Sequence, residues 1–252
     1  MTAVSGTIVD IVTSDGTADA YLTHPNDHAA HPAVLLYMDA FGVRPSLTRM
    51  ADRLAEHGYT VLVPNVLYRH GRAPVVDLPV HITDTRRRAL LQQLFPLVGE
   101  LTPERAMRDA DAYLSWLTAC PRTTDGPVAI TGYCVGAALA LRTAGAFPDR
   151  VAAAAGFHGG NLATDAPDSP HLVADRITAE LYFGHADEDP SMPLEQIERL
   201  DTALTLAGIR YQADVYSGAR HGYTQADTHQ YNAEASARHW TMLLALLDRT
   251  SR

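Results

Sequence analysis

Short apolar runs alternate with longer segments of helical period along this chain, and that alternation leaves few folds open. Apolar runs at 33–38, 60–63, 128–130, 151–155, 180–183 and 212–216 read as buried strands. Between them the periodicity predicts helices near 45–57, 84–97, 102–119, 134–146, 193–207 and 230–249. Thr102 is placed to cap the third of these, with Pro103 in its first turn. Gly58 and Gly208 follow the first and fifth, where a left-handed residue closes a helix. Uninterrupted apolar strands alternating with helices imply a parallel sheet covered on both faces. The first 25 residues differ. Segments 7–12 and 18–23 alternate in polarity around Ser14-Asp15-Gly16, which predicts an antiparallel hairpin at the sheet edge. The expectation is an α/β protein in which residues 1–252 form a single domain. Segment 66–83, with Gly71, Pro74 and Pro79, is expected to be an irregular excursion.

Composition removes several chemistries. The chain has 252 residues, 29 acidic and 20 basic, for a net charge of −9. Every basic residue is Arg, so Schiff-base, pyridoxal-phosphate and P-loop lysine mechanisms are excluded. The acidic balance argues against nucleic-acid binding, and Arg86-Arg87-Arg88, the longest basic run, reads as a solvated helix face. No stretch approaches the ~18 apolar residues of a membrane helix. The first six residues show no basic and apolar leader, which points to a cytoplasmic location. Cys120 and Cys134 are then expected as free thiols. His24, His28 and His31, like the acids at 187–189, read as surface loops rather than a metal site, so no metal and no cofactor is expected.

Segment 130–138 carries the chemistry. Gly132-Tyr133-Cys134-Val135-Gly136 follows an apolar strand and opens an Ala-rich helix, the strand–turn–helix pattern of a nucleophile elbow with Cys as nucleophile. The two glycines admit the sharp turn, and the helix N-terminus favours negative charge on the thiol and on an oxyanion. The N–H of Val135 is the expected oxyanion donor. Cys120, before Pro121, has no such setting.

The elbow fold places an acid and then a base downstream. Asp187 and Asp189 both follow the strand at 180–183 and both qualify by position; Asp187 is the favoured choice. His221 lies just past the last strand, where it can take the thiol proton while the acid fixes its tautomer. His158 and His185 also fall near strand ends and can line the pocket.

From Ala33 onward the chain resembles the dienelactone hydrolase family of the α/β-hydrolase superfamily. Four stretches carry the resemblance: Met38-Asp39-Ala40-Phe41-Gly42-Val43, the Cys134 elbow, Gly184-His185-Ala186-Asp187, and Ala219-Arg220-His221-Gly222-Tyr223. It implies an α/β-hydrolase fold, a Cys134–His221–Asp187 triad, no cofactor, and cleavage of a small-molecule ester or lactone. It also implies that the N–H of Ala40 is the second oxyanion donor. Asp39 stands where the best-known members carry a Glu that activates the resting thiol, and it is one methylene shorter. Their substrate-holding Arg after the triad His is absent here, which leaves Arg86, Arg87 or Arg88 to supply a cation. Tyr133, Arg86, His158 and Tyr223 are the remaining candidates for substrate contact. A monomer or weak homodimer is expected. The competing reading is a ligand-binding or thiol-sensing protein on the same fold.

Overall fold

The computed structural model describes residues 2–251; Met1, where the stretch read as leaderless begins, and Arg252 lie outside the described residues. Among the described residues eight strands form one sheet: β1 (Val4–Thr13), β2 (Gly16–Pro25), β3 (Ala33–Tyr37), β4 (Thr60–Pro64), β5 (Val128–Tyr133), β6 (Val151–Phe157), β7 (Glu180–Glu188) and β8 (Tyr211–Arg220). Their spatial order is β1-β2-β4-β3-β5-β6-β7-β8. The hairpin pairs antiparallel from Val4–Pro25 to Thr13–Gly16, and β2 meets β4 antiparallel. Every later pairing is parallel.

The helices are α1 (Pro45–Glu56), α2 (Asp84–Gly99), α3 (Pro103–Ala119), α4 (Val135–Ala146), α5 (Leu194–Leu206) and α6 (Ala233–Thr250). Each lies within three residues of the expected segment, and the caps explain the offsets. The side chains of Thr83, Thr102 and Asn232 accept from the N–H of Arg86, Arg105 and Ala235, so α6 starts at 233 rather than 230. Gly58 and Gly208 adopt φ of 93° and 68°, as helix-closing residues do.

Strands β3, β4 and β5 are buried along their whole length because helices cover both faces. Helices α3 and α4 pack together on one side. On the other, Arg53 of α1 lies over Trp240 of α6, 4.3 Å from the ring centre. β1 has a free edge and shows Ile8 and Val12 to solvent. Segment 66–83 contains one short 3₁₀ turn, Tyr68–His70, and is otherwise irregular. Among the described residues no helix is long and apolar enough to cross a membrane.

Candidate active site

The parallel strands all end on one side, and the loops that follow β3, β5, β6, β7 and β8 meet there. The elbow after β5 is the tightest of them. Cys134 adopts φ 55° and ψ −116°, a conformation that L-residues rarely hold, and its N–H donates to the carbonyl of Phe157 at 3.1 Å. A Cβ on Gly132 would sit 2.0 Å from the carbonyl oxygen of Gly136, and one on Gly136 would sit 2.6 Å from that of Met38. Any larger residue at either position would push the backbone apart. The sulfur therefore stands at the first turn of α4, whose leading N–H groups have no acceptor within the helix.

His221 closes on the thiol from the end of β8. Its Nε2 lies 2.9 Å from Cys134 Sγ and its Nδ1 lies 2.6 Å from Asp189 Oδ2. Burial pulls the imidazole pKa down, but the charge on Cys134 and the hydrogen bonds to Asp189 and Cys134 outweigh it and raise it to about 10. Burial alone would raise Asp189, yet its bonds to His221 and Ser191 hold it below the usual carboxylate value. Ser191 binds the other carboxylate oxygen twice, with N–H at 2.9 Å and Oγ–H at 2.6 Å.

The expected choice of Asp187 over Asp189 is corrected. β7 continues to Glu188, so Asp187 still belongs to the strand, next to a register irregularity. Its carboxylate accepts from the N–H of Gly218 at 3.0 Å and is exposed. Asp189 is the first residue past the strand and the one that meets His221.

Asp39 also departs from expectation. Its carboxylate makes no bond to Cys134. Oδ1 accepts from the N–H of Phe41 at 2.8 Å and from Arg44 at 2.9 Å, and Oδ2 accepts from Gln225 at 2.7 Å. Arg44 in turn donates to both oxygens of Asp227, at 2.7 and 3.2 Å. The loop after β3 is thus pinned from within. The N–H groups of Phe41 and Gly42 both go to Asp39, which leaves that of Ala40 without an internal acceptor.

Four proposed substrate contacts lie elsewhere. Tyr133 is buried among core rings, with its hydroxyl 2.9 Å from His239 Nε2. Tyr223 is fully buried and donates to the carbonyl of Gly184. His158 is fully buried, 2.7 Å from the Thr224 hydroxyl, and its ring packs edge-on against His221 at 5.4 Å. Burial pushes its pKa well below the ordinary value, so it braces the imidazole as a neutral ring. Arg86 is exposed on α2; its neighbour Arg87 is the one that turns inward, with a buried, unpartnered Nε. His185 is likewise buried in the core, stacked on Phe183. Cys120 ends α3 as a buried free thiol. His24 and His31 are engaged locally, by the Pro25 carbonyl and by Asp27.

Ser191, Gln225, Arg44 and Asp227 were not anticipated. The Asp-x-Ser turn at 189–191 was a readable signal for Ser191, whereas nothing local links Asp39 to residues 186 and 188 positions away.

An elbow thiol at the carboxyl edge of a mostly parallel eight-stranded sheet, with a histidine and a buried acid from the next loops, defines the α/β-hydrolase class. The sequence profile of the dienelactone hydrolase family matches residues 18–251. A Synechocystis protein provisionally named carboxymethylenebutenolidase is 26% identical, with 94% of each chain covered. The carboxymethylenebutenolidase of Rhodococcus opacus is 28% identical over 91% of this chain and 85% of its own. The crystal structure of a provisionally named dienelactone hydrolase from Klebsiella pneumoniae superposes with a TM-score of 0.84 at 22% identity, covering 98% of this chain and 99% of that one. The chain belongs to the dienelactone hydrolase family, and it is thereby a hydrolase of the ester-bond class.

Proposed function

We propose that the protein hydrolyses a small carboxylic ester or lactone through Cys134, His221 and Asp189, by way of a thioester. The observation that carries this reading is the unbroken chain of contacts from Cys134 Sγ to His221 to Asp189, at 2.9 and 2.6 Å. A raised His221 pKa favours an imidazolium beside the sulfur, so the imidazole is placed to take and hold the thiol proton. The thiolate attacks the carbonyl carbon, and the negative charge moves to the carbonyl oxygen. The N–H groups of Ala40 and Val135 hold that oxyanion, and such donors contribute about 3–4 kcal/mol each. The carbon–oxygen bond to the leaving group breaks as His221 gives it a proton; in a lactone the released alcohol stays tethered. Neutral His221 then takes a proton from water, whose oxygen attacks the thioester, and the thiolate leaves with the acid product formed.

Asp189 holds the imidazole orientation and offsets its charge. Asp39, committed to Arg44 and Gln225, shapes the Ala40 loop instead of activating the sulfur.

The deciding measurement is p-nitrophenyl acetate hydrolysis by the native protein and by Cys134→Ala, with iodoacetamide labelling alongside. Turnover that vanishes in the variant supports the reading. Turnover retained in Cys134→Ala would refute it. Rapid labelling with no turnover of this or longer esters would instead favour a thiol sensor on this fold.

A further inference from the structure

A groove of about 300 Å³ runs away from the nucleophile along α4. Its inner end is formed by Val135, the residue after Cys134, and by Gly160. A Cβ on Gly160 would lie 3.7 Å from His221 Cε1, so this end of the groove abuts the imidazole. The floor is one face of α4: Val135, Ala138, Leu139 and Arg142 follow the three-and-four spacing that aligns side chains. Leu67 and Leu101 supply the facing wall. The α4 floor and the facing wall are thus apolar from the elbow outward until Arg142, while Asn161, Thr164, Asp168 and Ser169 line the remaining side.

Arg142 is half-buried, and this desolvation lowers its pKa. Its one hydrogen bond goes to the backbone carbonyl of Asp168. Asp168 and Glu104 attract it from a distance, but neither carboxylate forms an ion pair with it. Other arginines that are buried or partly buried behave differently. Arg44 is held by Asp39 and Asp227, Arg69 by Asp15 and Asp109, and Arg199 by Asp165 and Glu195. A guanidinium has five N–H donors, so Arg142 keeps most of its fork free at the far end of the groove, beside Asp168. Desolvating a charge without a carboxylate is unfavourable unless a partner arrives from outside.

We propose that the groove holds the acyl chain of the substrate and that Arg142 binds a carboxylate at the far end of that chain. This rests on the hydrolase reading of Cys134. From Val135 to Arg142 the helix rises about 10 Å, the span of an acyl chain of roughly six to eight carbons. The substrate class is an ester of a medium-chain acid bearing a terminal carboxylate, longer than a compact ring lactone whose acid group lies beside its carbonyl.

The test compares two esters in each enzyme: the p-nitrophenyl monoester of suberic acid, and p-nitrophenyl octanoate, its methyl-ended counterpart. The native protein should prefer the suberate ester by roughly tenfold or more in kcat/KM, the scale of one charge-assisted pair. Arg142→Gln should bring the ratio near one, and Arg142→Lys should retain part of it. Because each enzyme is read as a ratio, loss of folded protein cancels. Equal rates in the native protein, or a preference that survives in Arg142→Gln, would overturn the assignment. Cleavage of p-nitrophenyl acetate with no suberate preference removes the groove assignment alone. Cleavage of none of the three esters removes the hydrolase reading with it.

Discussion

Two buried aspartates lie past the carboxyl ends of β3 and β7, with β5 and β6 between them, and they are put to opposite uses. Asp39, 1% exposed, faces Arg44, whose charge is permanent. Asp189, 6% exposed, faces His221, whose charge can be given up. A carboxylate paired with a guanidinium fixes geometry and moves no proton. A carboxylate paired with an imidazole responds each time the imidazole gains or loses one. Burial and strand-end position are alike in both, so the partner decides which acid can take part in proton transfer and which only holds the scaffold.

The comparison can be broken most severely at Asp189. Asp189→Asn should lower kcat on p-nitrophenyl acetate by about 10⁴, as loss of the orienting acid does in such triads. A drop under tenfold would transfer the role elsewhere. Arg44→Met should act the other way round. It strands two buried carboxylates and should cost about 3–5 kcal/mol in urea unfolding. An unfolding curve that matches the native one would show that the Asp39 network carries no structural weight.

The next effect depends on pH. The folded value for His221 lies above the ordinary 6.5, so protonation favours the folded state. That contribution is complete below about pH 6.5 and is lost as pH rises through about 10. Urea midpoints at pH 6.5, 8 and 10 should therefore fall more in the native protein than in Asp189→Asn, which lacks one of the groups that raise the value. Ser191→Ala should reduce kcat only several-fold, since Asp189 keeps its backbone bond to residue 191. Asp187→Asn, which touches only the N–H of Gly218, should change kcat by less than about twofold, and a larger loss would reopen the assignment of the acid.

The sheet, its helices and the elbow were legible because each is written locally. Apolar runs, Thr and Asn caps and the glycines flanking Cys134 all act within a few residues. His221 was legible from its place after the last strand. The acid was not, because the choice between 187 and 189 turns on where β7 stops, and the strand runs five residues beyond its apolar stretch. Tyr133 and Tyr223 sit beside site residues in sequence and His158 follows the end of β6, yet all three turn into the core, which position along the chain does not reveal. The Asp39 network was invisible for a different reason. Gln225 and Asp227 reach Asp39 and Arg44 only through the finished fold.

That long reach has a consequence for how the protein is made. During synthesis the β3 loop leaves the ribosome with Asp39 and Arg44 while Gln225 and Asp227 are still untranslated, more than 180 residues behind. The loop after β3 therefore waits, with its polar anchors unmatched, until residues 225 and 227 have emerged. A nascent chain stalled before residue 225 would therefore carry Cys134 beside a β3 loop that Gln225 and Asp227 have not yet pinned.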